Sequence, residues 1–387
     1  MEKKKKILVL TDDMPWGHRS IAKAIYGYLK EKEKDNTYEV DFREVKANTG
    51  MFNDLYTYTY RYFPKGGIIF HLLMKKGDFY RKIIEEVSIM NLPRVRKAVE
   101  EVKPDLIISA YFYHSHSLAK WRKKKNKKFK IWTIVADPWT INPTSFIKNV
   151  DLSLFYDEVG QREGIKYGLE RKKTEITGWW TRDAMYKQYN RNESRKKLGF
   201  MDDRPIVFIG GGSLGTSSLP KLLPIILSLD KKVGFIINTG NDKLAYNLVN
   251  QYQKLFSKLR KNDDTVIIKH LGWIDNMAEV LSACDIVFGK AGPNFLFDCV
   301  ACKKPFVAIT HIGGQEDGNI DLIRKKKLGW VKERTDEMNK FLIEYLENPK
   351  YYENKYLKNI EIESEKNRKT LPFILEMVKK GLRNIPQ

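Results

Sequence analysis

Short apolar runs that alternate with amphipathic stretches fill the first half of the chain, and this alternation restricts the fold more than any other feature. The run at residues 7–10, within "KILVLTDD", has the length and composition of a buried strand, and "SIAKAIYGYLKEKEK" after it has helical apolar spacing. The same pattern predicts strands at "YEVDFREV", "PDLIISAYF", "KIWTIVADP", "DLSLFYD" and "TEITGW", with "WRKKKNKK" as a lysine-rich helix end. Such alternation predicts a parallel sheet with helices on both faces.

The alternation restarts at "RPIVFIGGGSLG" and continues through "VGFIINTG", "TVIIKHLGW", "DIVFGKAG" and "PFVAITH". Because 387 residues exceed what one ordinary core accommodates, the restart predicts a second domain, and the fold class is α/β with two doubly wound, Rossmann-like domains. We place the domains at residues 1–182 and 183–364, with a polar, charged link at about 186–203. A C-terminal helix at about 365–387 can pack back on the first domain.

The net charge of the chain is +22, which favours an anionic partner: nucleic acid, an anionic membrane surface or a phosphate-bearing substrate. Cys284, Cys299 and Cys302 are odd in number and lie in one segment, which favours buried thiols in a reducing cytosol over disulfides or a zinc site. No run approaches the ~20 apolar residues of a spanning helix. We therefore expect a cytoplasmic protein that is peripheral on the inner face of the cell membrane.

Two turn-prone segments, "AGPN" and "GGQE", each open into a predicted helix. A helix N-terminus exposes unpaired N–H groups that bind anions, so two such termini at the carboxyl ends of strands suit a diphosphate. The loop "GGGSLG" is a further phosphate-loop candidate, although it lacks the Gly-Lys-Ser/Thr of a Walker loop and the glycine spacing of a dinucleotide fingerprint. Ordinary connections of an α/β domain are the alternative interpretation.

Two titratable side chains follow predicted strands of the first domain. His18 comes after the first strand, and a histidine suits the deprotonation of a hydroxyl group, although spacing alone favours a capping or core histidine. Asp137 ends the strand "KIWTIVAD" and can orient His18 or serve as the base itself. The alternative for Asp137 is a turn or capping aspartate before Pro138.

The segments "GGGSLG", "INTGNDKL", "HLGWIDNMAEVLSACDIVFGKAGP" and "GGQEDGN" resemble, in order and spacing, those of glycosyltransferase family 28. The resemblance is to its lipid branch, the monogalactosyldiacylglycerol synthases and diacylglycerol glucosyltransferases. In the first half, "GHRSIAKAI", "DPWTINPTSF" and "TGWWTR" are similar to further family motifs. The resemblance therefore covers nearly the whole chain.

This resemblance implies the GT-B fold, with two domains that face each other across a cleft. It implies inverting transfer of a hexose, glucose or galactose, from a UDP-sugar to a membrane lipid such as diacylglycerol. Because helix ends hold the diphosphate in this family, it implies no metal ion and no other cofactor. It favours His18 as the base, assisted or replaced by Asp137.

Three alternatives stay open at this stage. One is an N-acetylglucosaminyltransferase that acts on an undecaprenyl-linked cell-wall precursor. Another is a non-catalytic protein that binds UDP-sugar or lipid, because the loop "DDMPWGH" differs from the glycine-rich loop of the family. A nucleic-acid binder is the least favoured, because no recognised module accompanies the charge.

The resemblance also implies which residues bind the donor. Asp298 stands where the family has the acid that binds the ribose, Trp273 and Ile274 lie where the backbone pairs with uracil, and Met277 lies where a side chain packs on the base. The implied donor-binding residues are Gly17, Gly212, Ser213, Gly240, Trp273, Ile274, Met277, Gly292, Pro293, Asn294, Phe295, Asp298, Gln315, Glu316 and Asn319.

The segment at residues 53–76 mixes aromatic and aliphatic side chains with lysine and arginine. This composition suits an interfacial segment on anionic lipid, and a buried helix with one solvated face is the alternative. His114 and His116 are expected in a loop after the strand "PDLIIS", where they can contact the acceptor, although a merely solvated or packed loop is the favoured interpretation. The expected acceptor or membrane residues are Tyr58, Arg61, Tyr62, Phe63, Lys65, Tyr111, His114 and Trp139.

Overall fold

The computed structural model describes residues 4–13, 17–35, 38–47, 86–210 and 219–383. The chain forms two compact units. The first contains Met1–Asp183, Gly313–Gly318 and Lys366–Gln387, and the second contains Ala184–Ile312 and Asn319–Glu365. Within the described ranges each unit has a six-stranded sheet whose paired strands are all parallel, which confirms the expectation of two doubly wound α/β domains.

The described elements follow the predicted alternation along the chain. The strands are β1 Lys5–Thr11, β2 Tyr38–Glu44, β3 Leu106–Ser109, β4 Lys130–Ile134, β5 Leu152–Phe155, β6 Thr174–Ile176, β7 Ile206–Gly210, β8 Val233–Asn238, β9 Val266–Leu271, β10 Ile286–Lys290, β11 Phe306–Thr310 and β12 Gly329–Val331. The α-helices are α1 Gly17–Glu31, α2 Leu92–Val102, α3 Phe112–Lys125, α4 Glu158–Lys166, α5 Arg191–Lys197, α6 Leu219–Ser228, α7 Lys243–Leu259, α8 Met277–Ala283, α9 Pro293–Ala301, α10 Asp317–Lys326, α11 Thr335–Glu347, α12 Pro349–Lys355, α13 Leu357–Arg368 and α14 Thr370–Arg383.

The sheet of the first unit has the strand order β2-β1-β3-β4-β5-β6. The chain leaves β1 toward β2 on one side and later runs from β3 to β6 on the other, so the order reverses between β1 and β3. Leu10 pairs with Ser109, which brings the carboxyl ends of these two strands side by side. Leu8, Ile107 and Ile131 of the sheet are buried in one core with Val95 and Leu118 of the covering helices.

The sheet of the second unit has the order β12-β11-β10-β7-β8-β9, and the reversal here falls between β10 and β7. Gly289 pairs with Gly210 at the carboxyl ends of these two strands. The strands are apolar along most of their length because both faces are covered, and Phe235, Phe288 and Val307 have no exposed surface. Ligands of open α/β sheets bind at such reversals, so the fold supplies one candidate edge in each unit.

The expected link at about 186–203 contains a helix, α5, that is built into the second unit. Arg195 is buried and donates a hydrogen bond of 2.5 Å to Asp285, which also accepts from Arg191 at 2.9 Å and from the backbone N–H of Ile206 at 2.7 Å. The polar and charged composition of this segment is the reason for its prediction as a link. The composition does not show that Arg195 is buried, because its partner Asp285 lies 90 residues further along the chain, directly before β10.

The C-terminal helix packs within the first unit. The Thr370 hydroxyl donates to the carbonyl of Thr177 at 2.6 Å, and the Asn367 side-chain oxygen accepts from the backbone N–H of Trp179 at 2.9 Å. Among the described helices, none combines the length with the apolar composition needed to cross a bilayer.

His114 and His116 lie in helix α3, so the expectation that they occupy a loop is wrong. Only Ala110 and Tyr111 lie between β3 and the helix, and Tyr111 is extended, with φ −129° and ψ 119°. No glycine or proline follows the strand, so nothing in the sequence delays the helix. Nε2 of His114 lies 2.8 Å from the carbonyl oxygen of Val45, and Nε2 of His116 lies 2.8 Å from that of Thr144.

His114 has no exposed surface, and burial lowers its pKa from 6.5 to about 4. Between about pH 4 and pH 6.5 the unfolded chain therefore binds more protons at this residue than the folded protein does. The stability that neutral His114 contributes is complete above pH 6.5 and is lost as the pH falls toward 4.

We expect His114→Gln to reduce the pH dependence of stability. For wild type, this residue alone removes about 2 kcal/mol of unfolding free energy between about pH 7 and pH 5. Denaturant unfolding at the two pH values measures the loss, and His18→Gln removes the other strongly shifted histidine for comparison. An identical pH dependence in wild type and His114→Gln contradicts the assignment.

Candidate functional site

The carboxyl edge of the first sheet orients His18. This residue lies in the first turn of α1, directly after the β1 loop, and its Nδ1 is 2.7 Å from the carbonyl oxygen of Ala110 after β3. A carbonyl oxygen only accepts, so Nδ1 carries the hydrogen and Nε2 of the neutral ring keeps its lone pair. The contact spans the strand reversal, orients the ring and leaves Nε2 as the nitrogen that can accept a proton.

The surroundings of His18 keep the imidazole neutral. Burial lowers its pKa to about 4, and the hydrogen bond to Ala110 opposes this only in part. The Tyr111 ring packs against the imidazole of His18 in an edge-on arrangement, with ring centroids 5.3 Å apart, and the centroid of the His114 ring lies 5.1 Å from that of Tyr111. His18 is half-buried rather than enclosed, so its unprotonated nitrogen is compatible with a substrate hydroxyl.

Asp137 and Glu316 form an acidic pair within the first unit. Asp137 follows β4, and the segment Gly313–Gly318 belongs to the same unit. Burial and, to a smaller extent, the negative charge of Glu316 together raise the pKa of Asp137 from 3.8 to about 7. Near neutral pH the Asp137 carboxyl therefore exchanges a proton readily, as a general acid or base must.

The segment that carries Gln315 and Glu316 is held at both ends. Gly314 has φ +85°, a left-handed conformation that favours glycine, and its N–H donates to the Asp317 carboxylate at 2.8 Å. At the other end the N–H of Gly318 donates to the Thr140 hydroxyl. Sequence reasoning missed Thr140, although it lies three residues after Asp137 in "DPWT". Gln315 is half-buried and Glu316 is buried.

Trp139 is also fixed at this edge. Its indole Nε1 donates to the Asp157 carboxylate at 2.9 Å. The other oxygen of Asp157 caps α4 by accepting from the N–H of Val159 at 3.0 Å. A single carboxylate thus orients the aromatic ring and the start of a helix, and the ring remains half-exposed.

The carboxyl edge of the second sheet presents the start of α9. Gly292 is the residue before the helix, with φ −73° and ψ 136°, and Pro293 occupies the first helical position. Asn319 is buried, and its side-chain amide donates to the carbonyl of Ala291 at 2.8 Å, which holds this turn from α10. Asn294 and Asp298 lie half-buried in the first two turns of α9. The backbone N–H groups at the start of such a helix can bind an anion.

Phe295 has a packing role in this turn. Its ring lies 5.8 Å from that of Phe208 and 5.9 Å from that of Phe306, so it seals α9 against the sheet. At the strand reversal itself, a Cβ added to Gly289 would meet the carbonyl oxygen of Gly210 at 2.9 Å. Small residues are therefore required where β10 and β7 end.

The loops after β8 and β9 complete this edge. Gly240 adopts φ +54°, and the side-chain amide of Asn238 donates to the carbonyl of Gly272 at 2.5 Å, which ties the two loops together. Trp273 is 67% exposed, and its indole N–H donates to Asp275 at 2.8 Å. Ile274 and Met277 are half-buried beside it. Sequence reasoning missed Asn238, whose only signal was its position at a strand end.

Several predicted site residues fall outside the described part of the chain. They are Gly212 and Ser213 of the glycine-rich loop and the acceptor or membrane residues Tyr58, Arg61, Tyr62, Phe63 and Lys65. Gly17 is described and begins α1. Within the described ranges no group of three His, Cys, Asp or Glu side chains is arranged to hold a metal ion, and metal independence stays a prediction.

We expect Gly318→Ala to destabilise the first unit and loosen the segment that carries Glu316. An added Cβ would lie 2.5 Å from the Thr140 nitrogen and 2.7 Å from the Trp139 carbonyl carbon, so backbone must move. We expect a cost of about 1–3 kcal/mol in denaturant unfolding. The matched control is Gly27→Ala in α1, where no atom lies within 4 Å and a gain of about 0.5–1 kcal/mol follows from helix propensity. Equal effects of the two substitutions would contradict the close packing of Gly318.

Comparisons with known proteins cover almost the whole chain. Residues 18–179 match the family model of monogalactosyldiacylglycerol (MGDG) synthase, and residues 206–371 match the glycosyltransferase family 28 C-terminal domain. A probable chloroplastic monogalactosyldiacylglycerol synthase of Glycine max is 26% identical over 373 residues, which is 91% of this chain and 67% of the relative. Monogalactosyldiacylglycerol synthase 1 of Arabidopsis thaliana is 24% identical over 362 residues, which is 89% of this chain and 65% of the relative. The chain thus matches about two thirds of the length of these relatives.

Solved structures share the fold across both units. MurG of Acinetobacter baumannii superposes with a TM-score of 0.61 at 14% identity, over 97% of this chain and 99% of that one. Anabaena Alr3699/HepE in complex with UDP-glucose superposes with a TM-score of 0.59 at 15% identity, over 98% of this chain and 99% of that one. A putative UDP-N-acetylglucosamine 2-epimerase of Listeria monocytogenes superposes with a TM-score of 0.63 at 11% identity, over 99% of this chain and 98% of that one.

At such identities the likeness to solved structures shows the fold alone, and the expectation of a GT-B fold is confirmed. The family follows from the two models, which account for consecutive parts of the chain, and from relatives that align across both. Residues 18–179 therefore belong to the monogalactosyldiacylglycerol synthase family, and residues 206–371 belong to the C-terminal domains of glycosyltransferase family 28.

Proposed function

We propose that this chain transfers a hexose from a UDP-sugar to the free hydroxyl of diacylglycerol at an anionic membrane surface on the cytoplasmic side. Galactose is the first candidate sugar because the aligned relatives are named monogalactosyldiacylglycerol synthases, and glucose is the second. The observation that carries the proposal is the hydrogen bond between His18 and the carbonyl of Ala110, which leaves a lone pair on Nε2 at a ligand-binding edge.

The proposed reaction is a single displacement. The acceptor oxygen forms a bond to the anomeric carbon while the bond from that carbon to the β-phosphate oxygen breaks, and UDP leaves with the electron pair. The hydroxyl proton passes to Nε2 of His18, and the Ala110 carbonyl, still bonded to Nδ1–H, stabilises the imidazolium that forms. Attack opposite to the departing UDP inverts the configuration at the anomeric carbon.

The donor-binding roles rest on the second edge and on the held segment. We assign the diphosphate to the N–H groups at the start of α9, because a helix N-terminus stabilises the negative charge that develops on the leaving UDP. Asp298 accepts from the ribose hydroxyls, and the backbone of Trp273 and Ile274 pairs with uracil. Gln315 and Glu316 bind the sugar hydroxyls. The hydrogen bonds from the N–H groups of Gly314 and Gly318 hold the segment that carries these two side chains.

A direct assay tests the transfer. Purified protein is incubated with labelled UDP-galactose, UDP-glucose or UDP-N-acetylglucosamine and with vesicles that contain diacylglycerol, and the lipid extract is separated by thin-layer chromatography. We expect labelled monohexosyldiacylglycerol from a UDP-hexose, and a fall of about 10²–10⁴-fold in rate for His18→Gln, the range for a lost general base. His116→Gln, a buried histidine that bonds Thr144, is the matched control. No labelled lipid with any donor would refute the proposal.

The pH dependence of kcat/KM separates His18 from Asp137 as the base. A base acts when it is deprotonated, so activity falls as the pH drops through its pKa. With His18 as the base, whose pKa is about 4, we expect a flat profile from about pH 8 to pH 5 and the same profile in Asp137→Asn. A decline that begins near pH 7, where Asp137 titrates, and that disappears in Asp137→Asn would transfer the role to Asp137.

A further inference from the structure

Helix α7 of the second unit is apolar on two sides. Ala245, Val249 and Phe256 face the core of the sheet and are buried. On an adjacent side four leucines recur at spacings of four, seven and four residues, which brings them onto one face of the helix. Their exposed fractions are 73% for Leu244, 39% for Leu248, 49% for Leu255 and 59% for Leu259. We call these four residues the leucine stripe.

The leucine stripe runs along the whole helix. The 17 residues of α7 extend about 25 Å at the usual helical rise per residue. Trp273, exposed on the loop after the neighbouring strand β9, adds a large aromatic side chain at the same carboxyl edge where α7 begins. Solvent-exposed apolar patches of this extent mark interaction sites, because single exposed leucines are common whereas an ordered row of them is not.

The charge beside the leucine stripe identifies its partner. Residues 243–259 contain no aspartate or glutamate, and Lys243, Lys254 and Lys258 are exposed along one flank of the stripe. None of these three lysines forms an ion pair with another described residue. Leucines that can enter the acyl boundary beside lysines that stay at the headgroups are the pattern of a helix that lies on an anionic bilayer.

A second copy of the chain fits this surface less well. Two copies of α7 that packed their leucine stripes together would bring lysines toward lysines, since neither helix carries an acidic residue. We propose that the leucine stripe, with Lys243, Lys254, Lys258 and Trp273, is a membrane-contact surface that docks the second unit on anionic phospholipid. The inference rests on the proposed function only in that a lipid acceptor gives the protein a reason to meet a bilayer.

The test places an environment-sensitive fluorophore on the stripe. Leu255→Cys is labelled in a Cys302→Ser background, because Cys284 and Cys299 are buried and Cys302 is half-buried. On vesicles of phosphatidylglycerol and phosphatidylcholine we expect a blue shift and increased emission, with a weak response on phosphatidylcholine alone. The control is Ile362→Cys, which is 61% exposed on α13 and should respond little.

A second set of variants separates this surface from general electrostatics. Lys243→Gln, Lys254→Gln and Lys258→Gln together should weaken the binding of the labelled protein to anionic vesicles by about tenfold or more, since each basic residue near the surface strengthens attachment. Lys196→Gln, Lys232→Gln and Lys358→Gln remove the same charge elsewhere on the second unit and should have a smaller effect.

Three results would overturn the proposal. One is unchanged emission at residue 255 on vesicles with which the protein cosediments, and another is the absence of any binding to anionic vesicles. The third is an emission shift that grows with protein concentration without lipid, which would show that the stripe joins two copies. If the label responds as expected but no donor yields a glycolipid, the membrane-contact surface stands and the proposed transfer falls.

Discussion

Parallel pairing at two strand reversals is the constraint on which the candidate site depends. β1 pairs with β3 in the first unit and β10 pairs with β7 in the second, although the paired strands are not consecutive in the sequence. In each unit this pairing places two loops together at the carboxyl edge of the sheet. The first pairing brings His18 to the carbonyl of Ala110. The second brings the backbones of Gly210 and Gly289 so close that no Cβ atom fits at Gly289.

Burial then gives the titratable groups of the first unit their chemistry. It lowers the pKa of His18 and His114 and raises that of Asp137, because in each case the charged form loses its hydration. The same physical cause has different consequences. His114 is enclosed and bonded to Val45, so it contributes to the pH dependence of stability, whereas half-buried His18 keeps a nitrogen for chemistry.

The basic charge of the chain acquires meaning from its placement. A net charge of +22 is compatible with nucleic acid, lipid or a phosphate-bearing substrate. The absence of acidic residues along α7 and the exposed leucines beside its lysines favour lipid for this part of the surface. The segment at residues 53–76, which lies entirely outside the described ranges, remains a separate prediction for membrane contact.

The sequence by itself determined the fold class, the family and the order of the elements. Alternating apolar runs specify parallel strands because both sheet faces are covered, and residues such as Gly292 and Pro293 mark a helix start by backbone chemistry alone. Tertiary structure decided whatever depends on distant partners. It placed His114 inside a helix, paired Arg195 with Asp285, set Glu316 beside Asp137 and left the leucine stripe exposed. A local sequence pattern does not show which distant residue will pack against a given side chain. The burial of that side chain and the shift of its pKa both depend on this distant residue.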